Sequence, residues 1–228
     1  MSEKLRLTAE LVKQVHREVP DTGPLAGSTV FSETDYDGYL SDFLRENPDG
    51  PLHVFCYGSL IWKPVFEPAA TAHAIALGWQ RSFCLKVARF RGTLEQPGLM
   101  MQIDRGGQCE GLVQEVATAS AWDDLSKLWR REMTNKPPSN LPRWIDVNVG
   151  GVTTKAIAFT ANPASPIYVG QLAAEEIAQT LSIACGHWGS GAEYLRQTVL
   201  SLEAAGIHDP YLWGLQERVA ELIKARTG

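Results

Sequence analysis

Between residues 52 and 161 the chain repeatedly writes short apolar runs and then interrupts them. "LHVFCY", "AHAIALGW", "RSFCLKVA", "GLMMQI" and "CEGLVQEV" are each the length of a strand. "RGTLEQPG" and "DRGGQ" read as turns between them, and "RWIDVNV" and "VTTKAIAFTA" read as a hairpin around Gly150-Gly151. After "NPASP" the texture changes, and apolar residues recur at helical spacing over 172–185, 191–205 and 209–225. Strands first and helices later, without a regular strand–helix alternation, predict an α+β fold. The expected core is a mixed, largely antiparallel curved sheet or small barrel with flanking helices.

Ahead of this region, Thr8 is a candidate N-cap for a helix over 8–19. A Pro/Gly linker, "PDTGPLAGST", separates it from a second helix over 34–46, with Tyr36, Tyr39, Leu40, Phe43 and Leu44 on one side. Residues 1–50 are expected to form a helical extension packed on a catalytic domain of residues 51–228.

With 44% hydrophobic and 21% charged residues, the 228-residue chain has material for a full core. A net charge of -5 argues against nucleic acid or an anionic membrane as the principal partner. No run of about 18 apolar residues predicts a membrane span, and the charged N-terminus lacks the apolar core of a signal peptide. Cys56, Cys84, Cys109 and Cys185 are scattered and form no C-x-x-C pair, so they read as reduced thiols of a cytoplasmic protein. His16, His53, His73, His187 and His208 have no metal-ligand spacing, and no metal site is expected.

The stretch "VFCYGSLIWKP" is the first candidate for chemistry. A Gly-Ser pair directly after a buried strand, followed by more large apolar residues, reads as a loop kept at the edge of the core. Such a loop offers backbone N–H groups to a ligand, or it is simply a buried turn. Ser59 lacks the flanking glycines of a nucleophile elbow, and Cys56 reads as a core residue. "GHWGSG" (186–191) has neither the Lys-Ser/Thr of a phosphate loop nor a preceding strand, and is expected to turn between two helices.

The second candidate lies on "AWDDLSKLWRREM". Trp122, Leu125, Leu128 and Trp129 mark a buried stripe, and steps of three and four from Trp129 reach Glu132 and Met133. Arg130 and Arg131 take the solvent-side directions. A carboxylate beside an apolar stripe is costly unless it is paired or used. Glu132 therefore reads either as the partner of Arg143 or another cation, or as a partly desolvated general base.

A Tyr-Gly-Ser-Leu loop after the first core strand, with an Arg-Glu helix end some seventy residues later, resembles the ChaC-like branch of the gamma-glutamylcyclotransferase superfamily. The resemblance covers roughly 52–225. It includes "YGSLIWKP", "GWQRSFCL", "RGTLEQPGLMM", "LWRREM", "PRW" and "AEYLRQTVLSLEAAGIHDPYL". It implies a small-molecule substrate, reduced glutathione or another gamma-glutamyl amine, cyclised to 5-oxoproline without cofactor. By resemblance Glu132 is the general acid/base, Tyr57, Gly58, Ser59 and Leu60 cradle the glutamyl group, and Gly58 permits close backbone approach; a glycine here also admits a φ > 0 conformation. Tyr194 matches a tyrosine near the site, or serves helix packing. An older label of the family also implies a different class, a non-enzymatic regulator linked to cation transport. The chain departs from the family at "TNKPPSNLPRW", where relatives carry Gly-x-Tyr, and at Arg89-Phe90, where they carry Asp-His.

Overall fold

The computed structural model describes residues 4–46 and 50–227. The chain falls into two compact units. The first takes the residues up to Leu25, Phe83–Met101 and the residues from Val169 on, and the second takes Ala26–Ser82 and Gln102–Tyr168. The two helices expected together in an N-terminal extension are thus grouped with different units.

The second unit carries most of the sheet. Strands β1 (His53–Cys56), β2 (Ala70–Val87), β3 (Gly98–Glu115), β4 (Asn140–Val149) and β5 (Val152–Ala161) close a barrel in the order β1-β3-β2-β4-β5, with β3 and β5 also paired. β1 runs antiparallel to β3, with Cys56 opposite Leu112, and parallel to β5, with Val54 opposite Ile157. The sheet is therefore mixed, as expected. β4 and β5 form the hairpin around Gly150 and Gly151, at φ 58° and 91°, the conformation a two-residue hairpin turn requires.

Two expected breaks are absent. "AHAIALGW" and "RSFCLKVA" belong to one strand that continues through Gly78 at φ 77°. "DRGGQ" is likewise inside β3, with Gly106 and Gly107 at φ 129° and 47°. Glycine tolerates these angles, so each strand bends without ending.

Around the barrel lie α2 (Glu33–Arg45), the one-turn α3 (Ser59–Trp62) and α4 (Ala121–Glu132). Ser32 and Asp35 close a capping box at the start of α2. In α4, acidic Asp123 and Asp124 occupy the first turn and Arg130 and Arg131 the last, the arrangement the helix dipole favours. Leu125, Leu128 and Trp129 are fully buried, and Trp129 and Met133 join Cys56, Leu60, Ile157 and Phe159 in one apolar cluster. Trp122 departs from the expected stripe. It is 45% exposed, while Asp124 is buried and accepts from the Ser120 hydroxyl (2.6 Å) and Lys127 (3.1 Å).

The first unit is mainly helical: α1 (Ala9–Val15), α5 (Ala174–Leu181), α6 (Gly191–Ala204) and α7 (Pro210–Thr227), with α1, α5 and α6 packed on α7. Thr8 caps α1 by accepting from the Leu11 N–H (3.4 Å). Buried Gln216 on α7 accepts from the N–H groups of Arg6 and Leu7, which ties the start of the described chain to that helix. Between α5 and α6, "GHWGSG" forms a short hairpin, β6 (Cys185–Gly186) and β7 (Gly189–Ser190). Among the described residues, no helix is long and apolar enough to cross a membrane.

Candidate active site

β1 delivers Tyr57 to the barrel wall, and the chain turns at once into α3. Tyr57 is buried, and its hydroxyl lies 2.6 Å from the Phe159 carbonyl oxygen and against the Gln102 side chain. Its own carbonyl accepts from Nε of buried Arg81 (2.8 Å), whose guanidinium also donates to the Glu110 carbonyl. Tyr57 is thus fixed at both ends, and the bonds found at its hydroxyl are internal ones. Gly58 stands at φ -151°, ψ -126°, so the expected positive φ is not adopted. Ser59 and Leu60 begin α3, whose first N–H groups have no acceptor within a helix. Leu60 anchors the turn in the apolar cluster.

Glu132 is the last residue of α4, and its side chain is 14% exposed. Each carboxylate oxygen has a partner. Oε1 lies 3.3 Å from Nε of Arg131, and Oε2 lies 3.4 Å from Nδ2 of Asn140 at the start of β4. The same Asn140 amide donates to the Glu132 backbone carbonyl (2.9 Å). Burial pushes the Glu132 carboxyl above its ordinary value, opposed by the Arg131 charge and the Asn140 hydrogen bond. Cys56, at the end of β1, feels this carboxylate: burial first, and the Glu132 charge second, push its thiol far up. Its Sγ donates to Oε1 of buried Gln114 (3.3 Å), so Cys56 is a neutral core thiol.

Arg131 joins the two parts. Besides facing Glu132, it donates to the Ser59 hydroxyl (2.8 Å) and to the Lys63 carbonyl. The spacing argument that turned Arg131 toward solvent is corrected: its side chain is only 19% exposed. Neighbouring helical residues do not normally face each other. At the helix end, however, the long arginine stem folds back over the last turn. Arg143, the partner weighed in advance, instead donates to the Thr160 hydroxyl (3.1 Å).

Tyr57, Gly58, Ser59, Leu60 and Glu132 therefore all come together within the second unit. Tyr194 belongs to the first, where it is 3% exposed, edge-on to Phe83 (6.2 Å) and beneath the Arg91 guanidinium (5.2 Å). Sequence reasoning missed Arg131, Asn140 and Arg81. An arginine pair at a helix end and an asparagine directly before "LPRW" were the only signals available.

This arrangement suits proton transfer: a partly dry carboxylate of raised pKa, held in place beside a turn whose first N–H groups have no intrahelical acceptor. A model of the ChaC-like protein family matches residues 52–222. The chain belongs to the ChaC-like family. Its relatives include the Escherichia coli (strain K12) glutathione-specific gamma-glutamylcyclotransferase, 32% identical over 203 residues, covering 88% of this chain and 87% of that protein. The human glutathione-specific gamma-glutamylcyclotransferase 1 is 25% identical over 214 residues, covering 90% of this chain and 91% of that one. In fold, this ChaC-like chain is similar to the crystal structure of a yeast gamma-glutamyl cyclotransferase specific to glutathione. The TM-score is 0.67 at 18% identity, over 76% of this chain and 100% of the yeast chain.

Proposed function

We propose that the chain is a gamma-glutamylcyclotransferase that converts reduced glutathione to 5-oxoproline and cysteinylglycine. The observation that carries this reading is Glu132: a carboxyl of raised pKa, clamped on both oxygens and tied through Arg131 to the 57–62 turn. The relatives' names supply the substrate class.

The reaction is an internal aminolysis. The glutamyl α-nitrogen bonds to its own γ-carbonyl carbon and closes a five-membered ring, and the amide bond to cysteine breaks. Two protons leave the α-ammonium as it becomes the lactam N–H, and two arrive at the departing nitrogen as it becomes the cysteinyl ammonium. No water is consumed. Glu132 accepts protons from the attacking nitrogen and returns them to the leaving one, a task for which a carboxyl whose pKa is raised by burial is suited. The N–H groups of Ser59 and Leu60 meet the oxyanion, and Gly58 leaves room for the backbone to approach the substrate. The rigid turn holds the amine against its carbonyl, where proximity does much of the work.

Incubation with reduced glutathione should yield 5-oxoproline and cysteinylglycine in equal amounts by mass spectrometry. Glutathione acetylated on the α-amine should be inert. Release of N-acetylglutamate from that analogue would show a hydrolase and sink the cyclisation reading.

A further inference from the structure

We infer that residues 29–45, which precede the matched family region, form a brace that positions Glu132, acting through Tyr36. This inference rests on the activity proposed above.

A helix leaves its last carbonyls without intrahelical donors. At the end of α4 two side chains from different parts of the chain supply them. Asn140 donates to the Glu132 carbonyl (2.9 Å), and the Tyr36 hydroxyl donates to the Met133 carbonyl (2.8 Å). The Asn140 bond comes from within the family region, and the Tyr36 bond from outside it.

Further contacts from the same segment grip the chain on both sides of Glu132. On the helix side, Glu33 accepts from Arg130, whose guanidinium also lies over the Tyr36 ring (5.4 Å). Phe43 sits edge-on to Trp129 (5.2 Å) and stacks on Trp144 (5.1 Å), and its carbonyl accepts from the Trp144 indole (3.4 Å). Beyond the helix, the Lys136 N–H donates to the Thr29 carbonyl (2.7 Å), while its ammonium pairs with Asp35 and lies over Phe31 (5.2 Å). Burial raises the Tyr36 phenol's pKa, so it remains protonated and able to donate.

The last turn of a helix frays readily. If this one loosens, the Glu132 carboxyl swings toward water and its pKa relaxes toward the ordinary value. The charged group acting on Glu132 is Arg131 on its own helix, and Glu132 in turn acts on the Cys56 thiol of β1. Neither changes when Tyr36 is altered.

The test is Tyr36→Phe in the full chain, with Tyr39→Phe as control. Tyr39 is half-exposed and packs edge-on to Phe31 on the same segment. Losing one hydrogen bond at the helix end should lower kcat roughly five- to tenfold, with KM little changed. The Glu132 carboxyl titration, followed by carbon-13 NMR and assigned with Glu132→Gln, should move toward the ordinary glutamate value. Tyr39→Phe should leave both readouts at the wild-type level. A Tyr36→Phe protein with wild-type kcat and a wild-type titration overturns the brace. A wild-type protein inert toward glutathione removes the activity reading alone, and the titration still decides the brace.

Discussion

Two loops of this chain look alike on paper and differ in what their glycines are for. Both "YGSLIW" and "GHWGSG" put glycine, serine and tryptophan between ordered elements. In the hairpin of the first unit, the glycines make room for neighbouring chain. A Cβ on Gly186 would lie 2.3 Å from the Phe90 carbonyl oxygen, and Gly189 stands at φ 97°. Phe90, itself at φ 69°, accepts from the Trp188 N–H (2.8 Å), and the two rings meet at 4.3 Å. In the second unit, Gly58 has a negative φ, and the turn is met by the side chain of Arg131 from the end of α4. Glycine content alone does not separate the two cases. An arginine reaches both loops, Arg131 at the Ser59 hydroxyl and Arg91 at the Ser190 carbonyl (2.8 Å), and what separates them is the carboxylate behind it: the Glu132 side chain is 14% exposed and that of Glu193, the partner of Arg91, 39%.

The largest contrast is expected at Glu132. Glu132→Gln keeps the size and loses the proton acceptor, so 5-oxoproline formation should fall by about 10²–10⁴. Stability should move the other way. A carboxyl whose folded pKa is raised contributes stability below its unfolded pKa and loses that contribution as pH rises through the folded value. At neutral pH the glutamine variant should therefore melt at or above the wild-type temperature. A large drop in melting temperature would assign Glu132 to a structural ion pair and break the contrast between the loops.

The glycines test it directly. On the proposed reading Gly58→Val puts a branched side chain where the backbone would approach the glutamyl group, and activity should fall on the order of 10² with a modest change in melting. Gly186→Val should do the reverse. It crowds the Phe90 backbone, at a cost of about 1–3 kcal/mol, and whatever protein folds should keep its kcat. Equal effects of both on melting would make the Tyr57–Gly58 turn a structural one as well.

Arg131→Met sharpens the comparison further. It removes charge-assisted hydrogen bonds that are worth roughly tenfold or more in rate when they hold a reacting group. Because Arg131 lowers the Glu132 pKa, its loss should also move the acidic limb of the pH–rate profile to higher pH. Ser59→Ala removes one of the Arg131 anchors and should show the same trend in its mildest form, within a few-fold of wild type by the same reasoning. An unshifted pH profile in Arg131→Met would detach the turn from the carboxylate.

The fold class was legible because strand-length runs and a Gly-Gly hairpin leave few alternatives. The breaks inside β2 and β3 were misread because Gly78 and Gly106-Gly107 signal turns in a sequence, whereas in a barrel wall they bend a continuous strand. Glu132 was legible from its place beside an apolar stripe. Arg131 was not, since adjacent helical side chains ordinarily diverge, and only the end of α4 lets it fold back. Asn140 was hidden by distance along the chain: eight residues separate it from the carboxylate it touches. Trp122 shows the limit of periodicity. At the first turn of α4 the stripe is not yet covered, and the shorter Asp124 is buried instead.

All four cysteines are buried and outside any disulfide, and burial together with the Glu132 charge holds Cys56 firmly in its thiol form. Disulfide exchange requires an accessible thiolate as the attacking group. A catalyst of glutathione breakdown works amid its substrate's oxidised dimer, which caps exposed protein thiolates as mixed disulfides. This chain offers that dimer no foothold, so its turnover should follow the supply of reduced tripeptide rather than the redox state of its own sulfur.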